Sequence, residues 1–285
     1  MTMKLAFAQT RALSADQDGL DAASRAVAEA ASLGADVVVL PELFRWAYPA
    51  QEMTPSGFDR AEAIPGPTSD ACAALASEHG VVLVASVFEE RAPGLGFNTA
   101  LVFERDGSLA GTYRKTHIPD DPLYYEKFYF TPGDGPLAPI DTSAGRLGVL
   151  ICWDQWFPEA ARAMALSGAD VLVYPTAIGR IDAEGSAEHA RQLDAWQTVQ
   201  RGHAIANGLP LVAVNRVGRE GDLDFWGHSF AVGPQGEWLA QLGEERSVAL
   251  VDLDPARTRE VRTIWPFFRD RRPELYGALQ KRWNA

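Results

Sequence analysis

The sequence is poor in cysteine, in long apolar runs and in positive charge. With only Cys72 and Cys152, a disulfide framework is excluded, so each cysteine is considered as a free thiol. No run approaches the roughly 18 apolar residues that a membrane-spanning helix needs. Residues 1–10 also lack the apolar stretch and cleavage site of a secretory signal. We therefore expect a cytoplasmic protein with no membrane partner.

Acidic residues outnumber basic residues by 38 to 26, which gives a formal net charge of −12. Nonspecific nucleic-acid binding needs a basic surface that displaces counterions from phosphates, so we expect no nucleic-acid partner. A cationic small ligand is compatible with this charge, although an acidic surface is also a common solubility feature.

Several familiar catalytic motifs are also missing. The sequence has no G-x-S-x-G nucleophile elbow, no H-E-x-x-H zinc helix and no P-loop lysine motif. Residues 94–99 lack the third glycine of a dinucleotide fingerprint, and the five histidines show no metal-ligand spacing. We therefore predict that the protein uses neither a metal nor a cofactor.

Short apolar runs alternate with Ala-rich segments of helical length, which predicts a layered α/β fold. Most runs are continuous, as strands buried on both faces require. The predicted strands are 5–8, 37–40, 81–88, 99–103, 147–151, 171–174, 211–214 and 248–251, and the predicted helices are 21–33, 69–78, 159–166 and 193–206. A chain of 285 residues is expected to form one domain, 1–285.

The sequence also repeats itself weakly. Residues 34–41 (GADVVVLP) are similar to residues 168–175 (GADVLVYP), and residues 80–85 are similar to 208–213 at about the same offset. Hairpin-like turns follow at 106–107 and 235–236. Two similar halves, each a sheet with helices on one face, predict a four-layer αββα sandwich with an internal pseudo-twofold. Chance similarity between α/β segments is the alternative.

Reactive side chains follow three of the strand-like stretches. Cys152 ends the run 147–151, Glu42 follows the run 37–40 and a proline, and Lys115 follows a third stretch. Because α/β folds place ligands at the carboxyl ends of strands, a thiol, a base and an ammonium could meet there. An inert core thiol, a solvated loop acid and a surface lysine are the structural alternatives, and Cys72 in an Ala-rich helix is interpreted as inert.

A second acid lies within an unusually aromatic segment, residues 124–130. Glu126 could be desolvated by its aromatic neighbours, although an exposed acid in an aromatic loop is equally compatible with the pattern.

Together these contexts resemble the nitrilase, or carbon-nitrogen hydrolase, superfamily over almost the whole chain. The matching segments are 40–43 (LPEL), 113–117 (YRKTH), 130–133 (FTPG) and 148–154 (GVLICWD). The resemblance implies the αββα fold and a catalytic triad of Glu42, Lys115 and Cys152, with Glu126 as a supporting glutamate. It also implies that Lys115 and the backbone N–H of Trp153 stabilise an oxyanion.

Segments 124–134, 152–162, 174–179 and 202–204 are similar to the N-carbamoylputrescine amidases of that superfamily. The implied partner is a small N-carbamoyl amine or amide substrate, and the implied assembly is a homodimer or higher homo-oligomer. We expect the C-terminal segment, about 255–285, to lie in the contacts between subunits. The residues expected to contact substrate are Tyr125, Trp153, Asp154, Thr176 and Ala177.

Two features depart from the pattern, namely His228 and the stretch 180–194. Arg180 or Arg191 in that stretch could pair with a substrate carboxylate. N-carbamoyl-β-alanine, other N-carbamoyl amino acids and ω-amides of dicarboxylic acids are therefore alternative substrates. A non-catalytic binding protein of the same fold is a further alternative.

Overall fold

Most of the apolar runs form strands in the computed structural model, which describes residues 2–14 and 17–283. In chain order the strands are β1 (Met3–Gln9), β2 (Val37–Val39), β3 (Val82–Ala92), β4 (Leu95–Phe103), β5 (Leu109–Arg114), β6 (Ile140–Thr142), β7 (Gly145–Val149), β8 (Val171–Pro175), β9 (Gly179–Ile181), β10 (Leu211–Val214), β11 (Val217–Glu220), β12 (Leu223–Trp226), β13 (Phe230–Val232), β14 (Trp238–Gln241) and β15 (Ser247–Leu253). The helices are α1 (Leu20–Ser32), α2 (Pro67–His79), α3 (Pro158–Leu166), α4 (Ser186–Asn207) and α5 (Pro255–Ile264).

The strands build two six-stranded sheets and one small sheet. The first has the order β15-β1-β2-β3-β4-β5 and the second has the order β14-β13-β10-β8-β7-β6. In each, three central strands are parallel, β1-β2-β3 and β7-β8-β10, and the outer strands are antiparallel. The small sheet, β11-β12-β9, lies outside both.

Successive strand residues point to opposite faces, and this alternation separates two layers of core. Leu5 and Phe7 of β1 share one apolar cluster with Leu147 and Val149 of β7, so the two sheets pack face to face. Ala6, between Leu5 and Phe7, points the other way into a cluster with α1 and α2. Helices α3 and α4 cover the second sheet. The predicted αββα sandwich is therefore confirmed.

The two halves have matching topology. The repeated segments 34–41 and 168–175 contain β2 and β8, and the segments 80–85 and 208–213 include the first residues of β3 and β10. The turns at 106–107 and 235–236 connect β4 to β5 and β13 to β14. Helices α2 and α4 each end at a glycine in the left-handed conformation, Gly80 and Gly208. The pseudo-twofold predicted from the repeats is thus present in the strand order.

Candidate active site

The three candidate triad residues lie just beyond the carboxyl ends of strands. Lys115 directly follows β5, Glu42 lies three residues after β2, and Cys152 lies three residues after β7 at the start of a 3₁₀ turn, Cys152–Trp156. Among the described residues, four non-glycine residues have positive φ, and they include Cys152 at 41° and Leu43 at 47°. Such conformations are strained for L-residues and concentrate at functional sites.

Lys115 lies between two carboxylates, and all three side chains are completely buried. Its Nζ donates to Glu42 Oε1 at 2.8 Å and to both oxygens of Glu126, at 2.8 and 2.7 Å. Burial alone would lower the pKa of Lys115, but the charges of Glu126 and Glu42 raise it well above its usual range. The lysine therefore remains an ammonium, and it holds the two carboxylates at fixed positions.

Glu126 is the carboxyl whose protonation is most perturbed. Its pKa is raised to about 7, mainly by burial and also by the Glu42 charge, whereas Lys115 and a hydrogen bond from Tyr48 oppose this rise. The Tyr48 hydroxyl donates to Glu126 Oε1 at 2.6 Å. The ionised form of Glu126 is therefore maintained by two specific donors in a dry environment.

Glu42 has one oxygen engaged and one free. Its Oε1 accepts from Lys115 and from Asn98 Nδ2 at 2.6 Å, and Asn98 Oδ1 accepts from the Ser86 hydroxyl at 2.9 Å. Its Oε2 is buried and has no hydrogen-bond partner within residues 2–14 and 17–283. A buried carboxylate oxygen without a donor is available to accept a proton from a reacting group.

The Cys152 thiol is protonated at rest. Burial raises its pKa well above the usual value, and the nearby Glu42 charge raises it further. Lys115 lowers it, but by less than these effects combined. The Lys115 ammonium donates its hydrogen bonds to Glu42 and Glu126 and not to the thiol. A reaction at this thiol consequently needs a base.

Asp154 lies behind the thiol, fully buried. Its Oδ1 accepts from the backbone N–H of His117 at 2.9 Å and lies 2.7 Å from His117 Nδ1. Its Oδ2 accepts from the Tyr113 hydroxyl at 2.8 Å and from the Ile151 N–H at 2.9 Å. Both oxygens are thus occupied by the protein, and this geometry favours a role in holding the Cys152 turn over the expected contact with substrate.

A cavity of about 360 Å³ opens next to Cys152. Its wall has four aromatic side chains, Tyr124, Trp153, Trp156 and Trp226. The tyrosine that lines the cavity is therefore Tyr124, whereas the sequence suggested its neighbour Tyr125. The other lining residues are Pro119, Asp121, Pro122, Ile178, Gly179, Ile181, Glu184, Gln192 and Ala195.

The remaining expected contacts are fully buried. Thr176 donates its hydroxyl to the Tyr174 carbonyl at 3.0 Å, and the Ala177 carbonyl lies 4.0 Å from Cys152 Sγ. Ala177 is therefore close to the thiol through its backbone, whereas the Thr176 hydroxyl is turned to its own chain. Substrate contact by Trp153, Thr176 and Ala177 stays a prediction.

Sequence reasoning missed two residues of this cluster, Asn98 and Tyr48. Asn98 is fully buried within the apolar strand β4, and a polar residue in such a run could have been recognised as a buried hydrogen-bonding group. Tyr48 has no comparable signal, because it lies in an irregular segment and reaches Glu126, 78 positions away in the sequence.

The fold and the thiol site together define a thiol hydrolase of the α/β class. The sequence profile described as Carbon-nitrogen hydrolase matches residues 4–263, and the chain therefore belongs to the carbon-nitrogen hydrolase family. The N-carbamoylputrescine amidase of Solanum lycopersicum is 45% identical over 269 residues, covering 90% of this chain and 88% of that protein. The citrullinase of Francisella tularensis is 40% identical over 263 residues, covering 90% of this chain and 91% of that protein.

Solved structures agree with this assignment. A carbon-nitrogen hydrolase from Helicobacter pylori G27 has a TM-score of 0.96 and 46% identity, and the match covers all of both chains. An amidase mutant from Nesterenkonia sp. AN1 has a TM-score of 0.76 and 29% identity, covering 96% of this chain and 95% of that one. That structure shows the acetamide moiety of fluoroacetamide added covalently at the active-site cysteine.

Proposed function

We propose that this enzyme hydrolyses N-carbamoylputrescine to putrescine, ammonia and carbon dioxide, with Cys152 as nucleophile, Glu42 as base and Lys115 and Glu126 completing the catalytic cluster. The observation that carries this proposal is the lining of the cavity beside Cys152. Its charged residues, Asp121 and Glu184, are both acidic, and four aromatic side chains line the same cavity. An alkyl chain that ends in an ammonium matches both features.

The first half of the reaction forms a covalent intermediate. Glu42 Oε2 takes the thiol proton as Cys152 Sγ attacks the ureido carbonyl carbon. The oxyanion that forms is stabilised by Lys115 and by the backbone N–H of Trp153. Lys115 contacts both oxygens of Glu126. Giving up one of these contacts frees a donor for the oxyanion. The proton on Glu42 then passes to the leaving nitrogen, and ammonia departs from a thiocarbamate.

The second half releases the amine. Glu42 removes a proton from water, which attacks the thiocarbamate carbonyl, and the Cys152 thiol is regenerated as the carbon–sulfur bond breaks. The released carbamate decomposes to putrescine and carbon dioxide. The same residue thus acts as a base and as an acid in each half, which suits a carboxylate oxygen that no described residue engages as a donor.

The arginines of the divergent stretch do not favour a carboxylate substrate. Arg180 is bound to Asp224 at 2.8 Å and to Glu244 at 3.2 Å, and Arg191 is bound to Glu188. Neither is among the residues that line the cavity. His228 lies 3.5 Å from Glu244 and so belongs to the same surface cluster. A substrate carboxylate would face Asp121 and Glu184 without a bidentate partner, which disfavours it.

An ammonia-release assay with a panel of substrates tests this assignment. The panel contains N-carbamoylputrescine, citrulline, N-carbamoyl-β-alanine, an N-carbamoyl-D-amino acid and a simple aliphatic amide. We expect the highest kcat/KM for N-carbamoylputrescine. Citrulline is the second candidate, because a citrullinase is 40% identical and citrulline has the same ureido group. A higher kcat/KM for any carboxylate-bearing substrate would overturn the proposed specificity and leave the thiol mechanism intact.

We also propose that the enzyme is a homo-oligomer that works in the cytoplasm, where a nucleophilic thiol stays reduced. The C-terminal segment exposes an apolar surface that water disfavours. Its exposed large apolar residues are Ile264, Trp265, Phe267, Leu275, Tyr276, Leu279 and Trp283. Among the described residues, no helix has the length and apolar character needed to cross a membrane. A second copy of the chain is therefore the proposed cover for this surface.

A further inference from the structure

A buried ion pair lies just outside the reacting groups. Arg216 and Glu220 are 2% and 5% exposed, and Arg216 Nη1 donates to Glu220 Oε2 at 3.0 Å. Arg216 directly precedes β11 and Glu220 is its last residue, in the second half of the chain, whereas the acids of the site come from the first half. Burying such a pair costs desolvation energy that hydrophobic residues of similar size would avoid, so its presence suggests a positional role.

Arg216 fixes the turn that carries Glu42. Its Nη2 donates to the carbonyl of Glu42 at 2.9 Å and to the carbonyl of Leu43 at 2.6 Å. Leu43 is the residue with φ of 47°, so the guanidinium supports a strained peptide unit at the base itself. A planar fork can bridge two carbonyls and a carboxylate at once, which a point charge such as lysine cannot do.

Glu220 continues the same network toward the second acid. Its Oε1 accepts from the backbone N–H of Tyr48, and its Oε2 accepts from the Leu13 N–H at 3.0 Å. The Tyr48 hydroxyl in turn donates to Glu126. One ion pair is therefore connected to both carboxylates that contact Lys115, through the Glu42 backbone on one side and through Tyr48 on the other.

We propose that Arg216 and Glu220 are positioning residues that set the distance of Glu42 and Glu126 from Lys115 and Cys152. This inference rests on the proposed triad chemistry, and it does not depend on which amide is the substrate. Neither side chain is among the residues that line the cavity. Loss of the pair should consequently slow the chemical steps and leave substrate binding nearly unchanged.

The test is the double variant Arg216→Met/Glu220→Gln, because replacing both partners removes the charges without leaving either one unpaired. It is assayed with whichever panel substrate the wild type turns over fastest. We expect a folded protein by circular dichroism, a kcat lowered by about tenfold to a hundredfold and a KM within about threefold of wild type. A folded variant with kcat within about twofold of wild type would overturn the proposal.

The matched control removes an ion pair at the opposite end of β2. Arg105 and Asp36 are 2.7 Å apart there, and Arg105→Met/Asp36→Asn should keep kcat within about twofold of wild type. An equal loss of kcat in this control would overturn a specific role for Arg216 and Glu220.

If the first double variant does not fold, the single variant Arg216→Lys tests the proposal instead, because it keeps the buried charge. We expect it to lose about tenfold in kcat, and an unchanged kcat would refute the idea.

Wild-type protein that releases ammonia from no member of the panel would instead refute the proposed function. The two failures are therefore distinguishable, since the positioning test compares variants with an active wild type.

Discussion

At the scale of the residue, three neighbouring buried groups differ in how they hold or accept a proton. Cys152 holds its proton, Lys115 holds its positive charge, and Glu42 keeps one oxygen that accepts no hydrogen bond from the described residues. In the proposed mechanism the thiol is therefore activated only when Glu42 acts as the base, which limits side reactions in the absence of substrate.

The role of the thiol is tested by Cys152→Ser and Cys152→Ala. We expect kcat to fall by roughly 10³-fold or more in both, because a methyl group cannot attack the substrate and a hydroxyl is a much weaker nucleophile than a thiol. The fold should persist, since the change removes at most one buried atom. Cys72→Ala is the control, because burial raises the pKa of Cys72 to about 12 and it lies in α2. Turnover by Cys152→Ala at a tenth of the wild-type rate would exclude Cys152 as nucleophile.

The hydrogen bond from Tyr48 predicts a pH effect. The Glu126 carboxyl has a pKa of about 7, and this hydrogen bond lowers it by favouring the ionised form. In Tyr48→Phe the pKa should rise, so the acid limb of kcat/KM should move to higher pH. Measuring kcat/KM between about pH 5.5 and 9 checks the direction. Tyr129→Phe is the control, since its hydroxyl donates to the Glu52 carbonyl. An acid limb that moves to lower pH in Tyr48→Phe would contradict the prediction.

At the scale of the element, strand ends were predictable and side-chain networks were not. Glu42 and Cys152 follow apolar runs in the sequence and Lys115 follows another strand-like stretch, so all three were expected at strand ends. Asp154 shows the limit of such reasoning. It is two residues from Cys152, but the 3₁₀ turn directs its carboxylate inward to Tyr113 and His117. Proximity in the sequence did not indicate this direction, because it depends on the turn geometry.

Two loop elements supply the acidic lining of the cavity, and their charges predict substrate selectivity. Asp121 follows β5, and Glu184 ends the 3₁₀ turn Asp182–Glu184. In Asp121→Asn/Glu184→Gln we expect KM for N-carbamoylputrescine to rise by roughly fivefold to tenfold, with kcat nearly unchanged, because a partly exposed charge contact contributes about 1 kcal/mol. A neutral aliphatic amide is the control substrate. An equal rise of KM for that amide would refute charge recognition.

At the scale of the whole molecule, the repeat in the sequence predicted the architecture correctly, because each half buries the same pattern of strands. The short strands β6, β9, β11, β12, β13 and β14 were not predicted, since runs of three or four residues carry little periodicity. The first two turns of α4 were also missed, because they fall in the polar stretch 180–194. The Arg216–Glu220 pair was unforeseen for a different reason. Its contact with Glu42 spans 174 positions and exists only once the two sheets have packed together.

The C-terminal segment carries the exposed apolar residues on which the proposed oligomer rests. Ile264, Leu275 and Leu279 are each at least 64% exposed, and isolated apolar side chains of this size lose roughly 1.5 to 3 kcal/mol of stabilisation when they are not buried. We therefore expect light scattering at micromolar concentration to give a multiple of 31.0 kDa for the wild type. Ile264→Glu/Leu279→Glu should shift the mass toward 31.0 kDa, because a carboxylate would be desolvated in the contact.

Met53→Glu is the matched control for this shift. Met53 is also exposed, at 59%, but lies outside the C-terminal segment, so its replacement should leave the mass unchanged. A wild-type mass of 31.0 kDa would exclude the oligomer itself. An oligomer that persists in Ile264→Glu/Leu279→Glu would place the contact on another face of the sandwich. The expected result, a dissociated tail variant beside an intact Met53→Glu oligomer, would assign the contact to the exposed apolar residues of the C-terminal segment.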